Sequence, residues 1–489
     1  MKLNAAQILL EAHDADREAL VSTTKRLSVG ELRERVARTA AAFRQRGLAP
    51  GDRVAIALND SFTWVCAFLG TIHAGGVAVG VSPRMPEAQW RAILDEADFR
   101  IVVAETREKS LPAWHARILL RSELEQSLST IEPIAPELRD PAAPAFWTYS
   151  SGTSGKPKAI VHAHRSVLAV ERTSVQRLGL HAGDRLYSSS RLFFTYPLAN
   201  CLLAGLKLGA ALILDPAWPT AAHVASIVRA QRASALFSVP AMYRDLLREG
   251  LAGPLVRDGL RLCVSAGEAL PQGLRQAWLE QTGLAIVNGF GASETLTLVL
   301  VDRDGSGFLP SPDVQIRAKD PSSLPTRILI DTPTLGLGYW RGVGAGIEGF
   351  GGERGSGGDG EGYMPADLLR ESPPGRWRFV GREDSLVKVN GRWVDLVELE
   401  ERVASCVSII EAAAVSVPDE DGVNAIALFY VARPQPSPEE IVEGLEAGTR
   451  ELPQHQRPRW LHPISSLPRT ATGKLLRREL AELHRTLQT

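Results

Sequence analysis

The stretch Tyr149-Ser150-Ser151-Gly152-Thr153-Ser154-Gly155-Lys156-Pro157-Lys158 lies between two apolar segments, Ala145-Phe146-Trp147 and Ala159-Ile160-Val161. It reads as a loop joining two strands, and each of its ingredients suits a polyphosphate. Gly152 and Gly155 let the backbone come close and turn its N–H groups inward, making an anion-binding concavity. The hydroxyls of Ser150, Ser151, Thr153 and Ser154 can donate to phosphate oxygens or hold a hydrated Mg2+. Lys156 and Lys158 add point charges. The spacing is not that of a P-loop, because the glycines are too close and Pro157 stands where that motif needs Ser or Thr. On composition alone a solvated polar turn explains the loop more readily.

The order of residues adds to this. The loop resembles the signature of the adenylate-forming ANL superfamily: acyl- and aryl-CoA synthetases, peptide-synthetase adenylation domains and luciferases. Further segments are similar to the other motifs of that superfamily, in the same order. Asn288-Gly289-Phe290-Gly291-Ala292-Ser293-Glu294-Thr295 ends a strand and by itself reads equally well as a tight turn before a capped helix. It resembles the superfamily's Y-G-x-[ST]-E signature. The resemblance places Phe290 against the adenine face, Asn288 near the adenine edge, and Gly289, Gly291 and Ser293 around the nucleotide. Glu294 and Thr153 then hold Mg2+, as a hard cation wants oxygen ligands. Ser265-Ala266-Gly267-Glu268-Ala269-Leu270-Pro271 is similar to a segment lining adenine and acyl group, with Gly267 at the nucleotide, Glu268 structural or at the nucleotide edge, and Ala266 in the acyl pocket.

Asp367 stands where the superfamily has T-G-D, and the resemblance gives it both ribose hydroxyls. Here Pro365-Ala366 replaces Thr-Gly, and Ala rarely adopts the positive φ open to Gly. The run Phe379 to Arg392 matches G-R-x-D-x-x-[IV]-K-x-x-G. It implies that Arg382 reaches the ribose, Asp384 is an interdomain hinge, and Gly391 lies beside a pantetheine arm. Pro468-Arg469-Thr470-Ala471-Thr472-Gly473-Lys474-Leu475-Leu476-Arg477 matches the C-terminal motif, with Lys474 as catalytic lysine. Catalysis is therefore expected of Lys474, Glu294 and Thr153. His162 and His164 form an H-x-H pair read as structural or pocket-adjacent rather than metal-binding.

The chain as a whole allows this. Its 489 residues suffice for two or more domains, and 44% hydrophobic with 23% charged residues is an ordinary globular balance. A net charge of -1 offers no basic field for nucleic acid. Four cysteines, Cys66, Cys201, Cys263 and Cys406, form no C-x-x-C pair, which fits a reducing compartment and a cytoplasmic enzyme. The uncharged run from Phe62 to Ser82 is long enough for a membrane span, yet its glycines and the Val77-Ala78-Val79 strand pattern favour a buried helix followed by a buried strand.

Residues 5 to 47 read as helices, Ser166–Arg177 as another, and strand–helix alternation follows, predicting a mostly parallel α/β sheet. Residues 342 to 362, about half glycine, read as a mobile loop. The expected fold is α/β, with a large multi-sheet adenylate-forming domain at 1–383 and a small mobile α+β domain at 384–489. The implied activity is ATP-dependent activation of a carboxylic acid to acyl-AMP, then transfer to a thiol. That thiol is CoA or a carrier-protein phosphopantetheine.

Arg191-Leu192-Phe193-Phe194-Thr195-Tyr196-Pro197 and Ser265–Pro271 look like the benzoate and hydroxybenzoate-CoA ligase branch. Phe194 and Tyr196 can wall a flat ring, although core packing would explain them too, and Thr297 and Gly291 complete the expected pocket. A medium-chain acyl-CoA synthetase and a catalytically inactive nucleotide-binding protein are the competing readings. A homodimer stays open.

Overall fold

Pro144–Ser151 and Pro157–Ala163 are antiparallel strands on either side of the opening loop, with Ser150 opposite Lys158. The structure, a computed structural model, describes every residue except 12, 107–116, 152–156, 323–324, 351–361, 384–385, 390–391, 405, 407, 434–436, 451, 469–474 and 489. The loop glycines, Thr153, Ser154 and Lys156 thus lie outside the described residues, as do Asp384, Gly391, Lys474 and most of the glycine-rich run.

The hairpin belongs to a sheet with eight described strands. Next to Pro144–Ser151 come Val77–Gly80, Arg53–Ala57, Ile101–Ala104 and Ile118–Leu120, all parallel. On the other side Gly338–Trp340 pairs antiparallel with Pro157–Ala163. A second sheet has nine described strands. Six of them run parallel in the order Ile286–Phe290, Leu262–Ser265, Ala235–Ser238, Arg185–Ser188, Ala211–Ile213, Glu18–Val21. The strand–helix alternation of the sequence is the cause, since a parallel partner must be reached by a crossover.

One core joins the two sheets. It contains Val54 and Ile56 from the first, Leu212, Phe237 and Val264 from the second, and Leu32, Val36, Trp64 and Phe68 from helices. The helix Phe62–His73 starts at Ser61, whose hydroxyl accepts from Trp64 N at 3.2 Å, and is buried from Thr63 to Ile72. A helix apolar all round belongs inside a core. It is also too short for a bilayer, and among the described residues no helix is long and apolar enough to cross a membrane.

Two local expectations are corrected. Residues 5 to 47 are not helical throughout, because the hairpin Glu18–Val21 with Arg26–Ser28 interrupts them. Ser22 makes its turn, with its hydroxyl accepting from Thr24 N and Lys25 N. Ser28 then caps the helix Val29–Gln45 in a capping box with Glu31. The helix expected over Ser166–Arg177 is a 3-10 stretch, His164–Ala169, followed by the short helix Arg172–Gln176. Its start is held by His164 N and Arg165 N donating to Ala143 O and Pro141 O, so the regular ladder begins late.

The chain divides into two compact units. One comprises Met1–Arg317, Leu329–Met364 and Glu371–Trp377; the other comprises Ala318–Ile328, Pro365–Arg370 and Arg378–Thr489. In the second, Ile409–Pro418 lies between Asn424–Ala432, its antiparallel partner, and the helices Leu396–Ala404 and Arg477–Gln488. Its side chains alternate as a strand requires: Ala413, Val415 and Val417 enter one apolar cluster and Ala414 another.

Candidate active site

Four neighbouring parallel strands end at Ser188, Ser238, Ser265 and Phe290, so the segments that follow lie along one edge of the nine-stranded sheet. Carboxyl ends of parallel strands are where open α/β sheets bind ligands. Three candidate segments gather there: 189–197, 265–271 and 288–297.

They are bonded to one another. Tyr196 donates its hydroxyl to Val264 O at 2.9 Å, fixing the ring beside the end of Leu262–Ser265. Thr195 Oγ1 donates to Ser293 Oγ at 2.9 Å, joining the aromatic segment to the residue before Glu294. Phe194 packs on Phe193 with ring centroids 4.4 Å apart. Phe194 and Tyr196 are partly buried against the main core.

Glu294 is buried, and Tyr339 donates its hydroxyl to Glu294 Oε1 at 2.8 Å. Lys158 Nζ lies 5.4 Å from the Tyr339 ring centroid. Hairpin lysine, tyrosine and carboxylate thus form one cluster. Burial pushes the Tyr339 phenol well above its usual pKa, and the Glu294 charge adds to this, so it remains a donor. Sequence reasoning missed Tyr339, whose only signal is an aromatic pair after a glycine, Gly338-Tyr339-Trp340.

Backbone demands explain two glycines. Gly267 has φ +90°, the left-handed region. A Cβ on Gly291 would stand 2.8 Å from Thr297 O, too close for any side chain. Gly289 lies in the strand Ile286–Phe290 with Asn288, which is opposite Ser265 and Asp302. Phe290 meets Phe308 edge-on at 6.4 Å. Ala266 is buried and Glu268 exposed. Thr297 is buried, and its hydroxyl is already bonded to Thr334 Oγ1 at 3.1 Å.

In the second unit Asp367 and Arg382 form an ion pair at 3.7 Å. Ala366 is not among the described residues with positive φ, so the replacement of Thr-Gly by Pro-Ala imposes no left-handed strain. Ala366 O instead accepts from Glu383 N at 2.8 Å. His162 is buried with its ring stacked on Phe146 at 5.0 Å, and His164 Nδ1 accepts from Ala5 N at 3.1 Å. Among the described residues no cluster of three or more His, Cys, Asp or Glu could hold a metal ion. A single buried carboxylate, Glu294, suits a hard cation that draws its remaining ligands from nucleotide phosphates and water.

The buried Glu294, bonded to Tyr339, and the neighbouring Lys158 of the hairpin lie within two of the segments that match motifs of adenylate-forming enzymes. The chain belongs to the AMP-binding enzyme family, whose main domain matches residues 10–340 and whose C-terminal domain matches residues 398–474. It is 32% identical to the 3-hydroxybenzoate–CoA ligase of Aromatoleum sp. (strain CIB), over 96% of this chain and 94% of that one. Among solved structures it resembles the anthranilate CoA ligase AuaEII in complex with anthranoyl-AMP, with a TM-score of 0.87, 26% identity and coverage of 99% and 98%. It also resembles a benzoate CoA ligase from Burkholderia xenovorans LB400, with a TM-score of 0.85, 28% identity and coverage of 98% and 100%.

Proposed function

We propose that the protein activates an aromatic carboxylic acid of the benzoate or hydroxybenzoate type with ATP and passes the acyl group to CoA. The observation that carries this is the Thr195–Ser293 hydrogen bond, which joins the residue before Tyr196 to the residue before Glu294. This bond supports a reading in which Tyr196, held to Val264 O, flanks the acid's ring and Glu294 lies close by. The full-length likeness to ligases of hydroxybenzoate, anthranilate and benzoate supports the same substrate class.

A carboxylate is a poor electrophile for a thiol, and adenylation remedies this. The acid's oxygen attacks the α-phosphorus, pyrophosphate leaves, and the acyl-AMP forms. The thiol then attacks the acyl carbon and AMP leaves. Positioning and charge neutralisation are the protein's main contributions.

Among the residues matched by motif, Ser150, Ser151, Gly152, Thr153, Ser154, Gly155 and Lys158 hold the phosphates. Asn288 and Phe290 face the adenine, and Asp367 and Arg382 the ribose. Lys474 bridges carboxylate and α-phosphate. Glu294 and Thr153 are the groups that would hold Mg2+, which would offset phosphate charge. The small domain, hinged at Asp384, brings Lys474 for the first step and Gly391 for the second.

Pyrophosphate release tests the scheme across aryl and fatty acids, with and without CoA. Aryl acids should release pyrophosphate, and CoA should convert a slow or single turnover into sustained turnover. Sustained turnover only with a phosphopantetheinylated carrier protein would move the acceptor from CoA to that carrier.

A further inference from the structure

The segment Leu192–Tyr196 begins beside a buried ion pair. Asp60, just beyond the strand Arg53–Ala57 of the eight-stranded sheet, lies 3.7 Å from Arg191, just beyond Arg185–Ser188 of the nine-stranded sheet. Both side chains are less than a tenth exposed. Asp60 Oδ1 also accepts from Leu192 N at 3.1 Å.

Arg191 is held on its other side as well. It donates to Asp215 O at 2.5 Å and to Ala217 O, and its guanidinium lies 4.9 Å from the Trp218 ring centroid. The Asp215 carboxylate in turn faces His223 Nε2 at 2.7 Å.

Burying a carboxylate and a guanidinium costs free energy unless both are paired and hydrogen-bonded, and apolar side chains of the same size would often pack as well. What the pair adds is a fixed main-chain amide at Leu192. A third constraint acts on the next residue. A Cβ on Gly80 would stand 3.2 Å from Phe193 Cα and 2.9 Å from the Trp64 ring, so the segment lies hard against the end of Val77–Gly80. At its far end Tyr196 is tied to Val264 O. The segment is therefore fixed at its start by the Asp60–Arg191 pair, along its length by the end of Val77–Gly80 and at its far end by Val264.

We propose that Asp60 and Arg191 are positioning residues for acid recognition, fixing the start of Leu192–Tyr196 and through it the placing of Phe194 and Tyr196 against the acid's ring. Neither touches the substrate. The proposal rests on the aryl-acid reading of that segment.

Three variants test it. Asp60→Asn keeps an oxygen for Leu192 N but removes the charge, Asp60→Ala removes both, and Gly80→Ala presses on Phe193 from the end of the neighbouring strand. Pyrophosphate release gives KM for the acid at saturating ATP and KM for ATP at saturating acid, with benzoate, 3-hydroxybenzoate and octanoate. In Asp60→Asn the aryl-acid KM should rise about tenfold, the scale of one lost pocket contact, and ATP KM should stay within about twofold. Gly80→Ala should show the same split and a lower aryl-to-octanoate ratio. These two decide the matter if Asp60→Ala does not fold. Equal rises in both KM values, or an unchanged acid KM in both variants, would overturn the positioning role. A wild type that prefers octanoate overturns the aryl reading instead, and the positioning claim is then read from the octanoate KM.

Discussion

Tyr339 donates its phenol to Glu294 Oε1 at 2.8 Å, and Lys158 of the Pro144–Ala163 hairpin sits over the same ring. The tyrosine therefore aims the carboxylate proposed to hold Mg2+ and ties it to the hairpin. Tyr339→Phe keeps the ring and removes one hydrogen bond to a charged group, worth about 1.5–3 kcal/mol. The Mg2+ concentration for half-maximal adenylation should rise roughly tenfold, on that scale. An unchanged Mg2+ titration would show that Glu294 needs no such partner.

Tyr196 separates a ring effect from a hydroxyl effect. Tyr196→Phe loses the bond to Val264 O but keeps the flat wall, so aryl preference should persist with a modest fall in thermal stability. Tyr196→Ala removes the wall and should shift preference towards bulkier acids by about 1–3 kcal/mol, leaving ATP binding alone. If kcat/KM ratios stay the same in Tyr196→Ala, the ring is core and the acid lies elsewhere.

Acid should destabilise the large unit through two buried imidazoles. Burial pushes His162 down to about 3 and His164 down to about 4. A histidine whose folded pKa lies below its unfolded value favours the folded state above the unfolded pKa. That contribution is lost as pH falls towards the folded pKa. Between pH 6.5 and 5 each should cost about 2 kcal/mol. Tm should fall over that interval, and His162→Phe, which keeps a ring on Phe146, should lessen the fall. Parallel Tm curves for wild type and variant would remove His162 from the account.

Lys474 and Arg477 make a paired prediction. Arg477 is bound by Glu400, with Nη2 to Oε2 at 2.9 Å, and donates to Ala414 O at 2.6 Å, three residues after the motif lysine. Lys474→Ala should slow adenylation by roughly 10²–10³-fold, the size of one preorganised charge contact, while thioester formation from supplied acyl-AMP is largely spared. Arg477→Ala should show a smaller loss with the same bias, because it loosens the anchor beside the lysine. Equal losses in both half-reactions for Lys474→Ala would contradict the domain alternation.

Much of the candidate site could be singled out because its motifs are local in sequence. Ser150 to Lys158, Asn288 to Glu294 and Arg382 each lie in one short run that matches a family motif, although the residue types of the first two runs alone read as turns. The α/β class followed from period and from buried runs such as Val54–Leu58. The partners were not legible, since each depends on distant pairing. Tyr339 reaches Glu294 across 45 positions, and Asp60 reaches Leu192 across 132. Neither residue carries a local pattern that marks it. The hairpin at Glu18–Ser28 was hidden for the same reason: it is held by pairing with Ala211–Ile213, not by its own alternation. The Pro365-Ala366 replacement looked like damage in sequence, and only the backbone shows that no positive φ is needed there.

The central claim is activation of an aromatic acid, and the wild-type ratio of kcat/KM values tests it most directly. Benzoate, 3-hydroxybenzoate, 4-hydroxybenzoate and octanoate are compared at saturating ATP and CoA, with the acyl-CoA product measured. At least one of the aryl acids should exceed octanoate by roughly tenfold or more, the discrimination a shaped apolar pocket supplies. A higher value for octanoate than for every aryl acid would contradict the account.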